Sequence, residues 1–131
     1  MRKINWKSGS ENTYLSAFIN RMDLAYSAAD IIISRAGAGT ISELCIAGKP
    51  VILIPSPNVA EDHQSKNAMA LVEKEAAVFV RDDEAERMLV KKSIELLRNK
   101  KRLKELGENI SQMAIIDADK HIANEVMKLI G

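Results

Sequence analysis

Ser34-Arg35-Ala36-Gly37-Ala38-Gly39-Thr40-Ile41-Ser42-Glu43 decides how the rest of this chain is read. It follows an apolar run, Ile31-Ile32-Ile33, that reads as a buried strand. It leads into Leu44-Cys45-Ile46-Ala47, a helical stretch that Gly48 ends. A turn of small residues between a strand and a helix gathers free backbone N–H groups and the positive end of a helix dipole at one point. Phosphorylated ligands bind at such points, so the turn predicts a site for a nucleotide or a nucleotide-sugar.

Working outward, strand and helix signals alternate. Tyr14 to Phe18 reads as a short strand and Met22 to Ala29 as a short helix feeding the strand at 31–34. Gly48-Lys49-Pro50 stops the central helix, Val51-Ile52-Leu53-Ile54 is a second fully apolar strand, and Pro55-Ser56-Pro57-Asn58 is a loop. A helix from about Asp62 to Glu75 and a strand at Ala77-Val78-Phe79-Val80 follow. Continuous Ile/Val/Leu runs separated by helices mark a parallel sheet covered on both faces. From Glu84 onward the pattern is helical. Asp83 with Glu86 is placed to cap a helix whose apolar side is Leu89, Ile94 and Leu97. Leu103, Leu106, Ile110 and Met113 give a second stripe, and Ile122, Val126, Leu129 and Ile130 a third. The fold class is α/β, Rossmann-like, with a parallel sheet and a helical C-terminal tail.

The 131 residues suffice for one domain with a real core, and 47% hydrophobic with 28% charged residues is a globular balance. A net charge of +1 and 4% aromatics give neither the field nor the stacking platforms that nucleic acid requires. The single cysteine, Cys45, excludes an internal disulfide and reads as a small core residue in a reducing compartment. No apolar run reaches membrane-spanning length, and Met1-Arg2-Lys3-Ile4-Asn5-Trp6-Lys7 contains no signal-peptide core. Lys7 to Asn12 reads as a polar loop.

Ligands of such sheets bind beyond the carboxyl ends of the strands. Two loops leave strand ends here, Arg35 to Gly39 and Pro55 to Glu61, and each leads into a helix. His63, Gln64 and Asn67 fall in the first turn of the second helix, where side-chain amides can both donate to and accept from sugar hydroxyls. Simpler roles stand beside these. Thr40-Ile41-Ser42-Glu43 has the form of a capping box, in which Thr40 and Glu43 satisfy orphan N–H groups. Gly37 and Gly39 can serve a tight turn alone, and the turn is not the G-x-G-x-x-G of dinucleotide sites. His63 and His121 are the only histidines and make no metal cluster, and Lys100-Lys101-Arg102 reads as a solvated helix start.

Arg35 to Glu43, the stop Ala47-Gly48-Lys49-Pro50, Pro55-Ser56-Pro57-Asn58, Asp62-His63-Gln64-Ser65-Lys66-Asn67-Ala68, and the upstream Phe18-Ile19-Asn20-Arg21-Met22 with Ala25-Tyr26 and Ala29-Asp30 form one ordered set. This set closely resembles the MurG family of bacterial N-acetylglucosaminyltransferases, which make lipid II for peptidoglycan. The resemblance runs from about Phe18 to Gly131; residues 1–13 are unmatched, and 14–131 correspond to the C-terminal, donor-binding domain. It implies a GT-B architecture of two Rossmann-like domains facing each other, with UDP-N-acetylglucosamine held by the C-terminal one. Ile19 would read the uracil edge through its backbone, with Phe18 beside it. Ala38, Gly39 and Thr40 would hold the diphosphate side through their backbone, and Ile41 and Ser42 belong to the same donor-binding set. Glu43 would accept from the ribose hydroxyls, and Gln64 would contact the sugar with His63 and Asn67 as neighbours. Asn20 stands where an acidic residue is usual, and His63 where some relatives carry a second glutamine.

The resemblance further implies metal-independent, inverting glycosyl transfer, with no cofactor and no catalytic residue in this stretch. The acceptor, lipid I, would be bound by an N-terminal domain outside it, together with a further glycine-rich diphosphate loop. The setting implied is the bacterial cytoplasm, on the cytoplasmic face of the inner membrane. The face that would meet the other domain offers a surface for self-association. Two alternatives stand: a separate donor-binding subunit of a two-chain transferase, and a different GT-B enzyme of UDP-sugars.

Overall fold

The computed structural model describes residues 22–58 and 63–114. The expected strand at 14–18, with Phe18 and Ile19, and the third helical stripe, with His121, lie outside the described residues. Helix α1 (Met22–Ala28) precedes strand β1 (Ile32–Ser34), helix α2 (Ala38–Ala47), strand β2 (Val51–Leu53), helix α3 (His63–Glu73) and strand β3 (Val78–Phe79). A 3₁₀ turn (Asp82–Glu84) opens helix α4 (Ala85–Arg98), and residues 100–114 form α5. The strands are parallel in the order β1-β2-β3, with Ile33 opposite Ile52 and Leu53 opposite Phe79. Every strand expected among the described residues is present, each within a residue or two of its expected ends.

β2 shows why its sequence is apolar throughout. Val51 and Leu53 face one core with Leu44 and Cys45 of α2 and Ala68 and Leu71 of α3. Ile52 and Ile54 face the other, with Val80, Leu96 of α4 and Leu106 of α5. Alternate residues of one strand thus fill opposite layers. Val51, Ile52 and Leu53 are fully buried, which at roughly 1.5–3 kcal/mol per side chain makes this strand the centre of the domain's stability. Cys45 is buried in the α2–α3 layer, as expected.

The helix ends explain where the chain turns. Gly48 ends α2 at φ 68°, its N–H donating to the Leu44 carbonyl at 3.1 Å. A Cβ there would lie 2.5 Å from Ser111 Oγ, so glycine is required by conformation and by space. α3 ends without glycine: Glu75 takes φ 55°, Glu75 N–H donates to Val72 O and Ala76 N–H to Leu71 O, both at 2.9 Å. That is a Schellman motif with glutamate in its left-handed position.

Two expectations for α4 are corrected. Asp83 does not cap it; the N-cap is Glu84, with no side-chain bond, and Asp83 pairs with Arg81 at 3.0 Å because the 3₁₀ turn carries it ahead of the helix. Its core side is Leu89 and Leu96, while Ile94 and Leu97 are exposed. The helix carries two apolar stripes, and the sheet takes the one seven residues apart. In α5 the expected stripe holds: Leu106 and Ile110 are fully buried, with Leu103 and Met113 packed beside them.

Candidate functional site

The carboxyl ends of β1, β2 and β3 open into Arg35–Gly37, Ile54–Asn58 and Val80–Asp82, and side chains tie these three exits together. Gln64, on the first turn of α3 and only 7% exposed, accepts through Oε1 from Ala36 N–H at 3.2 Å and Ser56 N–H at 2.9 Å. Asn67, one turn on, donates through Nδ2 to the Ala36 carbonyl at 3.1 Å. Ala36 is therefore held at both its donor and its acceptor by α3. Arg35 reaches the other way, its Nη1 donating to Asp82 Oδ1 at 2.6 Å and to the Ile54 and Pro55 carbonyls at 3.3 and 3.4 Å. The Arg35–Asp82 pair is half exposed, so its value lies in geometry rather than in much free energy.

This frame aims α2. Its N-cap is Gly37, in extended conformation and with no side-chain cap, and the first helical bond runs from Ile41 N–H to Gly37 O at 2.9 Å. The amides of Ala38, Gly39 and Thr40 precede that bond, so none has a carbonyl partner inside the helix. No acidic side chain occupies the first turn of α2 or of α3. The positive end of the α2 dipole, with no side-chain cap, is thus left for an external anion. Ala38 and Gly39 are exposed, and a Cβ at Gly39 would meet nothing within 4 Å.

The capping-box expectation for Thr40 and Glu43 is corrected by this start. The helix begins at Ala38, which puts Thr40 in the third helical position and Glu43 nearly a turn too late to cap. Glu43 is exposed and instead accepts from the Tyr26 hydroxyl at 3.3 Å. Partial burial of the Tyr26 phenol, then the nearby Glu43 charge and this bond, raise the Tyr26 pKa above its ordinary value. Ser42 is exposed and Ile41 half-buried along the same helix.

The structure therefore brings Ala38 to Glu43 together with Gln64 and Asn67 at the ends of two adjacent helices. His63 is exposed at the start of α3. Phe18 and Ile19 lie outside the described residues. Between α2 and α3 runs a groove of about 480 Å³ whose upper end is lined by Ala38, Ile41, Ser42 and Asn67. A more spacious cavity, about 870 Å³, lies at the opposite end of the sheet against Asp30, Lys49 and Pro50, and is no part of this site. Sequence reading missed the Arg35 clamp and the Tyr26–Glu43 bond. Their partners are 47 and 17 residues apart, and no local pattern encodes such pairings. Among the described residues no group of three or more His, Cys, Asp or Glu could hold a metal ion, and no helix is long and apolar enough to cross a membrane.

Comparison with known proteins follows the same lines. The model of the glycosyltransferase family 28 C-terminal domain matches residues 1–122. A UDP-N-acetylglucosamine–N-acetylmuramyl-(pentapeptide) pyrophosphoryl-undecaprenol N-acetylglucosamine transferase of Bacteroides thetaiotaomicron is 54% identical over 90% of this chain and 32% of its own length. The protein of the same description from Bacteroides fragilis is 56% identical over 90% of this chain and 31% of its own length. The crystal structure of Acinetobacter baumannii MurG superposes with a TM-score of 0.69 at 33% identity, over 85% of this chain and 32% of that one. The chain thus spans about a third of the length of these relatives, and its three parallel strands with flanking helices agree with a Rossmann-like half of a GT-B fold.

Proposed function

Because the chain belongs to the glycosyltransferase family 28 C-terminal domain family, we propose that it binds UDP-N-acetylglucosamine as the donor half of the transferase that converts lipid I to lipid II. The observation that carries this reading is the uncapped start of α2. Three backbone amides and an unneutralised helix dipole point at one place, framed by Arg35, Gln64 and Asn67. A diphosphate seated there accepts those N–H groups. As the bond to the anomeric carbon breaks, negative charge grows on the leaving UDP, and fixed amides stabilise it without rearranging.

In this reading Glu43, oriented by Tyr26, accepts from the ribose hydroxyls. Phe18 and Ile19 meet the uracil. Gln64 has both lone-pair directions of Oε1 committed to Ala36 and Ser56, so any contact it makes with the sugar goes through Nε2, which lies 4.0 Å from where a Cβ on Gly37 would stand. His63 and Asn67 border the same space. The acceptor hydroxyl and the base that deprotonates it belong to a second domain, so this chain alone forms no lipid II from UDP-N-acetylglucosamine and lipid I. The enzyme works on the cytoplasmic face of a bacterial membrane, where its lipid-linked acceptor lies.

Calorimetric titration with UDP, UDP-N-acetylglucosamine and NAD tests the donor assignment. The two uridine nucleotides should bind more tightly than NAD. Tighter binding of NAD would overturn it.

A further inference from the structure

A second hollow opens at the same end of the sheet as the donor site. It measures about 360 Å³ and lies at the carboxyl ends of β2 and β3, beside the first turn of α3. Pro55 and Pro57 give it one stiff wall, and Phe79, half-buried against the α2–α3 core, gives it another. Ser56 and Ser65 bring hydroxyl groups to the lining. Three charges line it as well. Asp82 is already paired with Arg35 at 2.6 Å. Arg81 has a looser partner: its Nη2 donates to Asp83 Oδ2 at 3.0 Å, two residues on, and the two side chains are 63% and 66% exposed. A pair so exposed contributes little, so Arg81 is easily taken from it. A carboxylate arriving from outside gains two parallel N–H bonds from the guanidinium fork.

The hollow thus combines one readily released cation, hydroxyl groups and apolar walls, which is the chemistry that holds a peptide with a free carboxylate. We propose that it receives the peptide arm of the acceptor substrate. A peptide carboxylate displaces Asp83 from Arg81, peptide N–H groups meet the serine hydroxyls, and the chain lies along Phe79 and the prolines. A polyphosphate would account for Arg81, but it would set several negative charges against Asp83 and leave the apolar walls without contact. A bare sugar would use the hydroxyls and leave Arg81 in its present pair. The relatives' description gives their acceptor an N-acetylmuramyl-(pentapeptide) group. The inference rests on the transferase reading: the reacting hydroxyl stays with the second domain, and the peptide arm reaches across to this one.

Nitrogen-15 amide shifts during titration with soluble N-acetylmuramyl-pentapeptide test it. N-acetylmuramic acid, and the pentapeptide compound with its carboxyl groups amidated, are the comparisons. The free-acid pentapeptide should move the amides of Ser65, Phe79 and Arg81 saturably, and the other two compounds should not. Arg81→Gln should weaken binding about tenfold, and Arg81→Lys, which keeps the charge, should weaken it less. Asp83→Asn should tighten binding about two- to fivefold by freeing Arg81. Loss of fold does not imitate a gain, so these opposite signs separate a binding site from a structural effect. No shift at those amides, equal shifts with the amidated compound, or weaker binding in Asp83→Asn would each overturn the proposal. UDP titration of the same samples reads the donor site alone, so failure of one reading is distinguishable from failure of the other.

Discussion

Replacing Gln64 by Met removes the acceptor that joins two strand-end loops while nearly preserving side-chain length and volume. Ala36 is wholly buried, so its N–H, now bonded to Gln64 Oε1 at 3.2 Å, has no water to turn to. An unsatisfied buried donor costs roughly 1–3 kcal/mol. Ser56 N–H, at 2.9 Å, is half-buried, so solvent recovers most of its loss. The expected loss of folding stability is therefore about 2–3 kcal/mol, a large share of the roughly 5–15 kcal/mol typical of a domain. Gln64→Glu keeps an oxygen in the same place and a carboxylate accepts both N–H groups, so it should remain within about 1 kcal/mol of the parent. Urea unfolding followed by circular dichroism measures both, and amide exchange at Ala36 and Ser56 should accelerate only in the Met variant. If Gln64→Met unfolds within about 0.5 kcal/mol of the parent, or if Gln64→Glu loses as much as Gln64→Met, the acceptor is not what holds the loops and the reasoning fails.

Glu75→Gly should stabilise the chain by about 0.5–1 kcal/mol, because glycine removes the left-handed penalty at the end of α3 while adding some unfolded-state entropy; a lower urea midpoint would contradict this. Tyr26 has its pKa raised in the folded state, so its contribution is fully present below the ordinary value of 10.0 and is lost as pH climbs through the raised value. The stability gap between parent and Tyr26→Phe should accordingly hold steady through neutral and mildly alkaline pH and shrink only above 10.0. Glu43→Gln should keep the fold, since glutamine still accepts from Tyr26 and Glu43 caps nothing, yet weaken UDP binding by about 1–3 kcal/mol. Equal calorimetric affinities would reduce Glu43 to a partner of Tyr26.

Strands were legible because β2 is buried on both faces and must be apolar at every position, and a run such as Val51-Ile52-Leu53 admits few other readings. Gly48 was legible for a similar reason: only glycine meets both its left-handed φ and the approach of Ser111. The start of α2 was misread because Thr40 and Glu43 have the spacing of a capping box, yet Gly37 and the α3 contacts to Ala36 begin the helix sooner. Tertiary bonds overrode a local signal. In α4 two apolar stripes compete, and periodicity does not say which one the sheet takes. Gln64 was placed at the site, but its commitment to two loop amides depends on a fold that brings residues 36, 56 and 64 together.

The central claim is that the bare amides at the start of α2 receive a diphosphate. Nitrogen-15 amide shifts recorded while UDP is added test it most directly. The account predicts that the amides of Ala38, Gly39 and Thr40 move most, with Ala36 and Ser56 following through Gln64. Saturable binding that leaves those three amides unmoved and shifts residues around Lys49 and Lys104 instead would contradict it.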